Sequence, residues 1–102
     1  MKIAVVGQVD GNLSKLNDIE ADLILSTGSM GIWPDPFYMD RPSRDYAAKE
    51  FSRMYNNQES LKTPTIFVRG AHEDHHWLRR RKELGRPELL PNLVWLADGT
   101  RL

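Results

Sequence analysis

The sequence predicts an α/β fold with a mainly parallel sheet and flanking helices. Three short apolar runs, at residues 2–6, 22–27 and 65–68, each lead to a glycine and then to polar residues. Short β-branched runs that end near glycine or proline are typical of buried strands. A segment with helical spacing of apolar residues lies between the first two runs, and a strand-helix-strand unit implies parallel pairing. Since ligands bind beyond the carboxyl ends of parallel strands, we expect the site in the three polar loops.

Length, charge and cysteine content limit the class of protein. The chain has 102 residues with 14 basic and 14 acidic side chains, so its formal net charge is zero. This size predicts one domain over residues 1–102, and the balanced charge argues against broad binding to nucleic acid or membranes. The absence of cysteine excludes disulfides and thiolate sites. The amino-terminal apolar run is too short for a signal peptide or a membrane span, and we expect a cytoplasmic protein.

The first elements follow from the periodicity of apolar residues. Residues 2–6 are apolar on both faces, which predicts a central strand covered by helices on each side. Three aliphatic side chains recur at every third position and predict a short helix over residues 12–19. The proline-rich segment 31–42 predicts an ordered loop. Aromatic side chains of this loop either line a binding cleft or interface or cover the core; they are Trp33, Phe37 and Tyr38.

The middle of the chain predicts two further helices and a strand. Ser43 can cap a helix that begins at Arg44 and carries one apolar stripe. A strand over residues 65–68 follows. The next helix extends from about residue 75 to residue 84, where Gly85 and Pro87 terminate it.

The last predicted strand is residues 93–97. It precedes Asp98-Gly99, a hairpin signal after which only three residues remain. We therefore expect an open apolar sheet edge here, which a protein partner or a second copy of the chain covers. Trp95 is a candidate interface residue at this edge.

Three glycine-anchored motifs follow three predicted strands. They are GQVDGN at residues 7–12, GS at 28–29 and GAHE at 70–73. In order, spacing and strand context they resemble the first three motifs of the calcineurin-like metallophosphoesterases, whose pattern is G-D-x-H-G-N, G-D and G-N-H-[DE]. The segment after the second motif and residues 91–96 resemble the lariat-debranching type. The resemblance implies a truncated domain, equivalent to the amino-terminal half of the family's sandwich.

The metal-binding positions of that family are changed in this chain. The positions that match four of the family's ligands are Gln8, Asp10, Ser29 and Ala71. A serine hydroxyl is a weak neutral ligand and alanine offers none, so most ligands for metal-activated water are missing. We therefore expect no metal cofactor; the alternative is manganese or another divalent metal, weakly bound. Loss of the whole set fits relaxed selection after truncation, or design.

His72 and Glu73 match the third motif. The resemblance implies that His72 lies near a substrate phosphate as an acid and that Glu73 orients it. Without a metal-bound nucleophile, such an acid supplies only about a 10²- to 10⁴-fold acceleration, so we expect a vestigial and inactive site. The alternative is structural: the ring and the carboxylate of Glu73 or Asp74 cap the following helix.

A basic segment follows the third motif. Residues 79–82 are four consecutive cations, which on a helix spread over all faces. They form either a solvated helix end or an anion-binding surface. The histidines at 72, 75 and 76 do not predict a metal site, because neighbouring helical residues do not face one another. The candidate anion-binding residues are Arg69, Arg79 and Arg80, with Trp77 for stacking.

Three functions remain open from the sequence. The preferred one is a degenerate, catalytically inactive phosphoesterase-like half-domain that acts as a protein-interaction module. One alternative is a metal-dependent phosphodiesterase with an atypical site that another subunit completes. The other is a nucleotide or nucleic-acid phosphate-binding module without hydrolysis. A protein partner or homo-oligomer is favoured over nucleic acid, and we expect no membrane association.

Overall fold

The fold is α/β, as predicted. The computed structural model describes residues 1–7, 9, 12–35, 50–70 and 73–97. Its strands are β1 (Ile3–Val6), β2 (Leu23–Ser26), β3 (Thr65–Phe67), β4 (Glu88–Leu90) and β5 (Leu93–Trp95). Its helices are a 3₁₀ helix (Leu13–Asp18), α1 (Glu50–Asn56) and α2 (His75–Glu83).

The strands form one sheet in the order β1-β2-β3-β5-β4. The first four strands in this order pair in parallel, and β4 pairs antiparallel with β5. Among the described strands β1 is thus outermost, and the prediction of a central first strand was wrong. Ile3 is 50% exposed and Val5 is 74% exposed, so helices do not cover both faces of this strand. Apolar residues on both faces of β1 reflect a sheet with one bare apolar face.

The prediction of an open edge at the last strand was also wrong. β5 lies between β3 and β4, so both of its sides are paired. β4 and β5 form a hairpin whose turn contains Asn92 at a φ of 70°. The Asn92 amide donates a hydrogen bond of 2.9 Å to the carbonyl of Leu61, which ties this turn to the segment before β3. The predicted turn at Asp98-Gly99 lies outside the described residues.

The core lies between the helices and one face of the sheet. In the 3₁₀ helix, Leu13 and Leu16 are buried. Their three-residue spacing matches a 3₁₀ helix, which has three residues per turn, better than an α-helix. α1 contributes Phe51 and Met54, and α2 contributes Leu78, to the same core. The predicted start of α1 at residue 44 lies outside the described residues.

The two helices α1 and α2 meet through an aromatic cluster. The ring of Trp77 contacts Phe51 and Tyr55 edge-on, at centroid distances of 5.7 and 5.6 Å. Arg81 places its guanidinium 5.3 Å from the Trp77 ring centroid. Trp77 therefore joins the two helices, and its ring does not serve as the open stacking surface that the sequence suggested.

None of the helices in the described ranges is long and apolar enough to cross a lipid bilayer.

Candidate functional site

The loops that follow β1, β2 and β3 converge at one end of the sheet. The backbone N–H of Val9 donates to the carbonyl of Ser29 at 2.9 Å, which joins the first loop to the second. Gly28 joins the second loop to the third: at a φ of +79°, a Cβ on this residue would lie 2.7 Å from the Gly70 nitrogen and the Val68 oxygen. The Gly28–Ser29 peptide bond is cis. These contacts place the three glycine-anchored motifs side by side.

Glu73 holds the second and third loops together. Its side chain is only 1% exposed. Both carboxylate oxygens accept the Met30 N–H at 3.0 Å, and one of them also accepts the N–H groups of Gly31 at 2.8 Å and Ile32 at 3.1 Å. The other oxygen accepts the Gly70 N–H at 3.0 Å. Four backbone N–H donors thus offset much of the free energy that burial of this carboxylate would otherwise cost.

The next acidic side chain, Asp74, caps α2. Its carboxylate accepts the N–H of Trp77 at 3.1 Å, and its own N–H donates to the Ile32 carbonyl at 2.8 Å. This is the structural alternative that the sequence raised for the acidic residues of the third motif. His72 lies outside the described residues, and its catalytic assignment, with that of Glu73 as its orienting partner, stays a prediction.

The matching metal positions are only partly described. Ser29 is 2% exposed at the centre of the loop cluster, whereas Gln8, Asp10 and Ala71 lie outside the described residues. Within the described ranges, no group of three or more His, Asp or Glu side chains could hold a metal ion. His75 and His76 are adjacent at the start of α2, half-buried and exposed respectively.

A basic pocket lies beside this cluster, at the carboxyl ends of β3 and β5. It has a volume of about 160 Å³ and is lined by Arg69, Arg79, Lys82, Trp95 and Ala97. Two of the three predicted anion-binding residues, Arg69 and Arg79, therefore line one pocket. Arg80 does not line it, and Lys82 takes the third cationic position. Lys82 follows Arg79 by three residues, so the two side chains share a face of α2.

Arg81 has a structural position instead. Its guanidinium donates to the carbonyl of Arg86 at 3.1 Å and to that of Glu88 at 2.6 Å. These bonds connect the end of α2 to the start of β4. Of the four consecutive cations in α2, Arg81 is therefore committed to the fold, and only two face the pocket.

The face of the sheet opposite the helices is apolar and is covered by no helix among the described residues; Val5 on this face is 74% exposed, and Leu25, Ile66 and Val94 are partly buried. Register places Val5, Leu25, Ile66 and Val94 in one row across four strands. These side chains do not pack against the core cluster, which takes the alternate residues of the same strands. At the ends of β3 and β5, Val68 and Leu96 extend the bare surface, and Val68 is 40% exposed.

The two described interface candidates, Trp33 and Trp95, do not form this surface. Trp33 and Trp95 are each 5% exposed, which leaves little of either ring for contact with another molecule. Phe37 and Tyr38 lie outside the described residues. The signal that could have revealed a second apolar face is the run of apolar residues at successive positions in β1, β2, β3 and β5, but such a run does not say which face is covered.

Comparisons of the chain with protein-family models, with curated proteins and with solved structures give no match.

Proposed function

We propose that this domain is a protein-interaction module without catalytic activity, which associates through its bare apolar sheet face. The observation that carries the proposal is the row of Val5, Leu25, Ile66 and Val94, which runs across four paired strands and meets no helix of the described chain. A sheet with one hydrophobic face in water normally buries that face against another layer. Contiguous exposed apolar patches larger than a few hundred Å² mark interaction surfaces, and this face approaches that size once its projecting side chains are included.

The occupant that we propose is a second copy of the chain. The row and its neighbours Ile3, Val68 and Leu96 carry no charge. The exposed Glu88, paired with Val94 on the outer strand β4, is a charge at the rim of this face, so two identical faces can meet through their apolar centres while Glu88 stays in water. A two-fold arrangement places the same patch on both subunits and closes the assembly as a dimer. Two sheets stacked face to face would lie about 10 Å apart with their side chains interdigitated.

The size of the face sets the expected affinity. Four strands about 4.8 Å apart and about 10–13 Å long give a plan area of only about 200 Å². Stable complexes bury about 800 Å² on each partner. Side chains that project from the sheet, and residues around its rim, enlarge the buried area beyond this value. We still expect a weak dimer with a dissociation constant in the micromolar range.

Analytical ultracentrifugation between about 1 and 500 µM tests the proposal. We expect a concentration-dependent monomer–dimer equilibrium that Val5→Lys weakens at least tenfold, because the lysine puts a charge on the bare face. Leu84→Lys is the matched control: Leu84 is 62% exposed at the end of α2, away from this face, and the change should leave association unaltered. Circular dichroism checks that both variants keep the fold.

A monomer at every concentration would overturn self-association. Stable complexes with a different protein that are likewise lost in Val5→Lys would keep the interaction surface but replace the partner. A cytoplasmic location is part of this proposal, because the chain contains no cysteine. The described residues of the phosphoesterase-like motifs, Gly28, Gly70 and Glu73, then serve to hold the loops together at the end of the sheet.

A further inference from the structure

We propose that the pocket formed by Arg69, Arg79, Lys82 and Trp95 binds a phosphate group carried by a small molecule with a flat or apolar body. The charged pocket is separate from the bare sheet face, whereas the groove beside it shares Val94 and Leu96 with that face. The pocket lies where the carboxyl ends of β3 and β5 meet the side of α2. In parallel sheets this end is the usual place for ligands.

The charge of the pocket selects an anion. Among the described residues, its lining contains three cationic side chains and no acidic one. Two of the cations are arginines, whose planar guanidinium groups donate paired hydrogen bonds to phosphate oxygens. A phosphate monoester carries nearly two negative charges at neutral pH and has oxygens enough for all three cations. It therefore satisfies the pocket better than a carboxylate does.

Trp95 adds a second observation at the same place. The side chain is 5% exposed, and its indole Nε1 is buried without a hydrogen-bond partner. Because this atom is shielded, a phosphate oxygen can accept its N–H only after the ring or its cover moves, so the Trp95 indole reports occupancy of the pocket through its changed surroundings.

The size of the pocket indicates what else the ligand carries. About 160 Å³ holds a phosphate group but is smaller than a typical site for a whole small molecule. A second groove of about 330 Å³ adjoins it and shares Lys82, Trp95 and Ala97 as lining residues. The remaining walls of this groove include Pro87, Val94 and Leu96, which are apolar. A ligand with a charged head and a flat or apolar body would fill both spaces.

Two-dimensional ¹H–¹⁵N NMR titrations test the proposal, with inorganic phosphate, AMP and adenosine as probes. The host is the wild-type chain at low concentration, and Val5→Lys if the wild type associates, so that loss of the dimer cannot be mistaken for loss of the site. We expect saturable shifts at Arg69, Arg79, Lys82 and the Trp95 indole with both phosphates. AMP should bind at least tenfold more tightly than inorganic phosphate, and adenosine should not bind.

Charge-matched variants separate the pocket from general attraction. Arg79→Gln/Lys82→Gln should weaken AMP binding at least tenfold. Arg80→Gln/Lys15→Gln removes the same charge from exposed residues outside the pocket, and binding should change less than twofold. Equal weakening by both double variants, or shifts spread over all basic residues, would overturn the site. Equal affinity for AMP and inorganic phosphate would overturn the role of the second groove.

Discussion

Gly28 and Gly70 are in backbone contact, so close that neither position has room for a side chain. A Cβ on Gly28 would lie 2.7 Å from the Gly70 nitrogen, and a Cβ on Gly70 would lie 2.8 Å from the Ser29 nitrogen. The two residues belong to different strand-end loops, 42 positions apart along the chain. Their contact fixes the spacing between the ends of β2 and β3, and the Glu73 carboxylate then bridges the same two loops.

Substitution at this contact should be costly. Gly28→Ala adds a Cβ against backbone atoms at a positive φ, so neither the side chain nor the loop can adjust cheaply. We expect the free energy of unfolding to fall by about 2–3 kcal/mol, measured by urea denaturation. Gly7→Ala is the control, because a Cβ there has no heavy atom within 4 Å, and its effect should stay within about 0.5 kcal/mol. Similar stability of the two variants would contradict the close packing.

The contribution of Glu73 to stability should depend on the charge of its carboxylate as well as on the shape of the side chain. Glu73→Gln keeps the size of the side chain but replaces one acceptor oxygen with an NH₂ group that faces backbone donors. We expect a loss of about 3 kcal/mol in the free energy of unfolding. Glu83→Gln, an exposed change at the end of α2, should have little effect. An unchanged midpoint for Glu73→Gln would mean that the four backbone bonds do not stabilise the loops.

Arg81 should stabilise β4 against local unfolding. Arg81→Ala removes two hydrogen bonds to backbone carbonyls and the contact with the Trp77 ring. We expect a loss of about 1–2 kcal/mol and faster amide hydrogen exchange at residues 88–90. Arg80→Ala should leave that exchange unchanged. Equal exchange rates in the two variants would show that β4 is held by its pairing with β5 alone.

Manganese should not bind tightly. Among the described residues of the three motifs, Ser29 is a weak ligand, and the oxygens of Glu73 already accept four backbone donors. We expect native mass spectrometry with excess manganese to give only the metal-free mass. One or two retained ions per chain, together with metal-dependent hydrolysis of a generic phosphodiester that His72→Ala abolishes, would establish a phosphodiesterase instead.

The predictable part of the fold is the part that local patterns specify. Apolar runs that end at glycine located β1, β2 and β3, and Gly85 located the end of α2. β4 was missed because its adjacent Leu89 and Leu90 are both buried, and a register irregularity between Glu88 and Leu90 removes the alternation that marks a strand. A three-residue strand between two prolines carries too little periodic signal to be distinguished from a loop.

The candidate sites were predictable to different degrees. Convergence of the three loops follows from the parallel pairing of their strands. For the acidic residues of the third motif, the sequence also offered a structural role, which was to cap the following helix. The sequence could not distinguish Lys82 from Arg80 as the third cation of the pocket. Four consecutive cations spread over all sides of a helix, and only the packing of that helix on the sheet shows which of them face the pocket. The bare face was beyond prediction for a related reason: Val5 and Val6 look alike in sequence, and only the position of the helices decides which one is buried.

The two outermost described strands differ in how well they could pair with a further strand. β4 is three residues long, irregular in register and flanked by Pro87 and Pro91, which lack the N–H that a neighbouring strand would need. β1 has four residues in regular register and no proline. Of these two edges, only β1 is suited to accept another strand by backbone pairing. Any extension of the sheet by strand pairing would therefore begin from β1, and two copies joined there would present blunt β4 strands at both ends of a ten-stranded sheet, so that growth through strand pairing would stop at two copies.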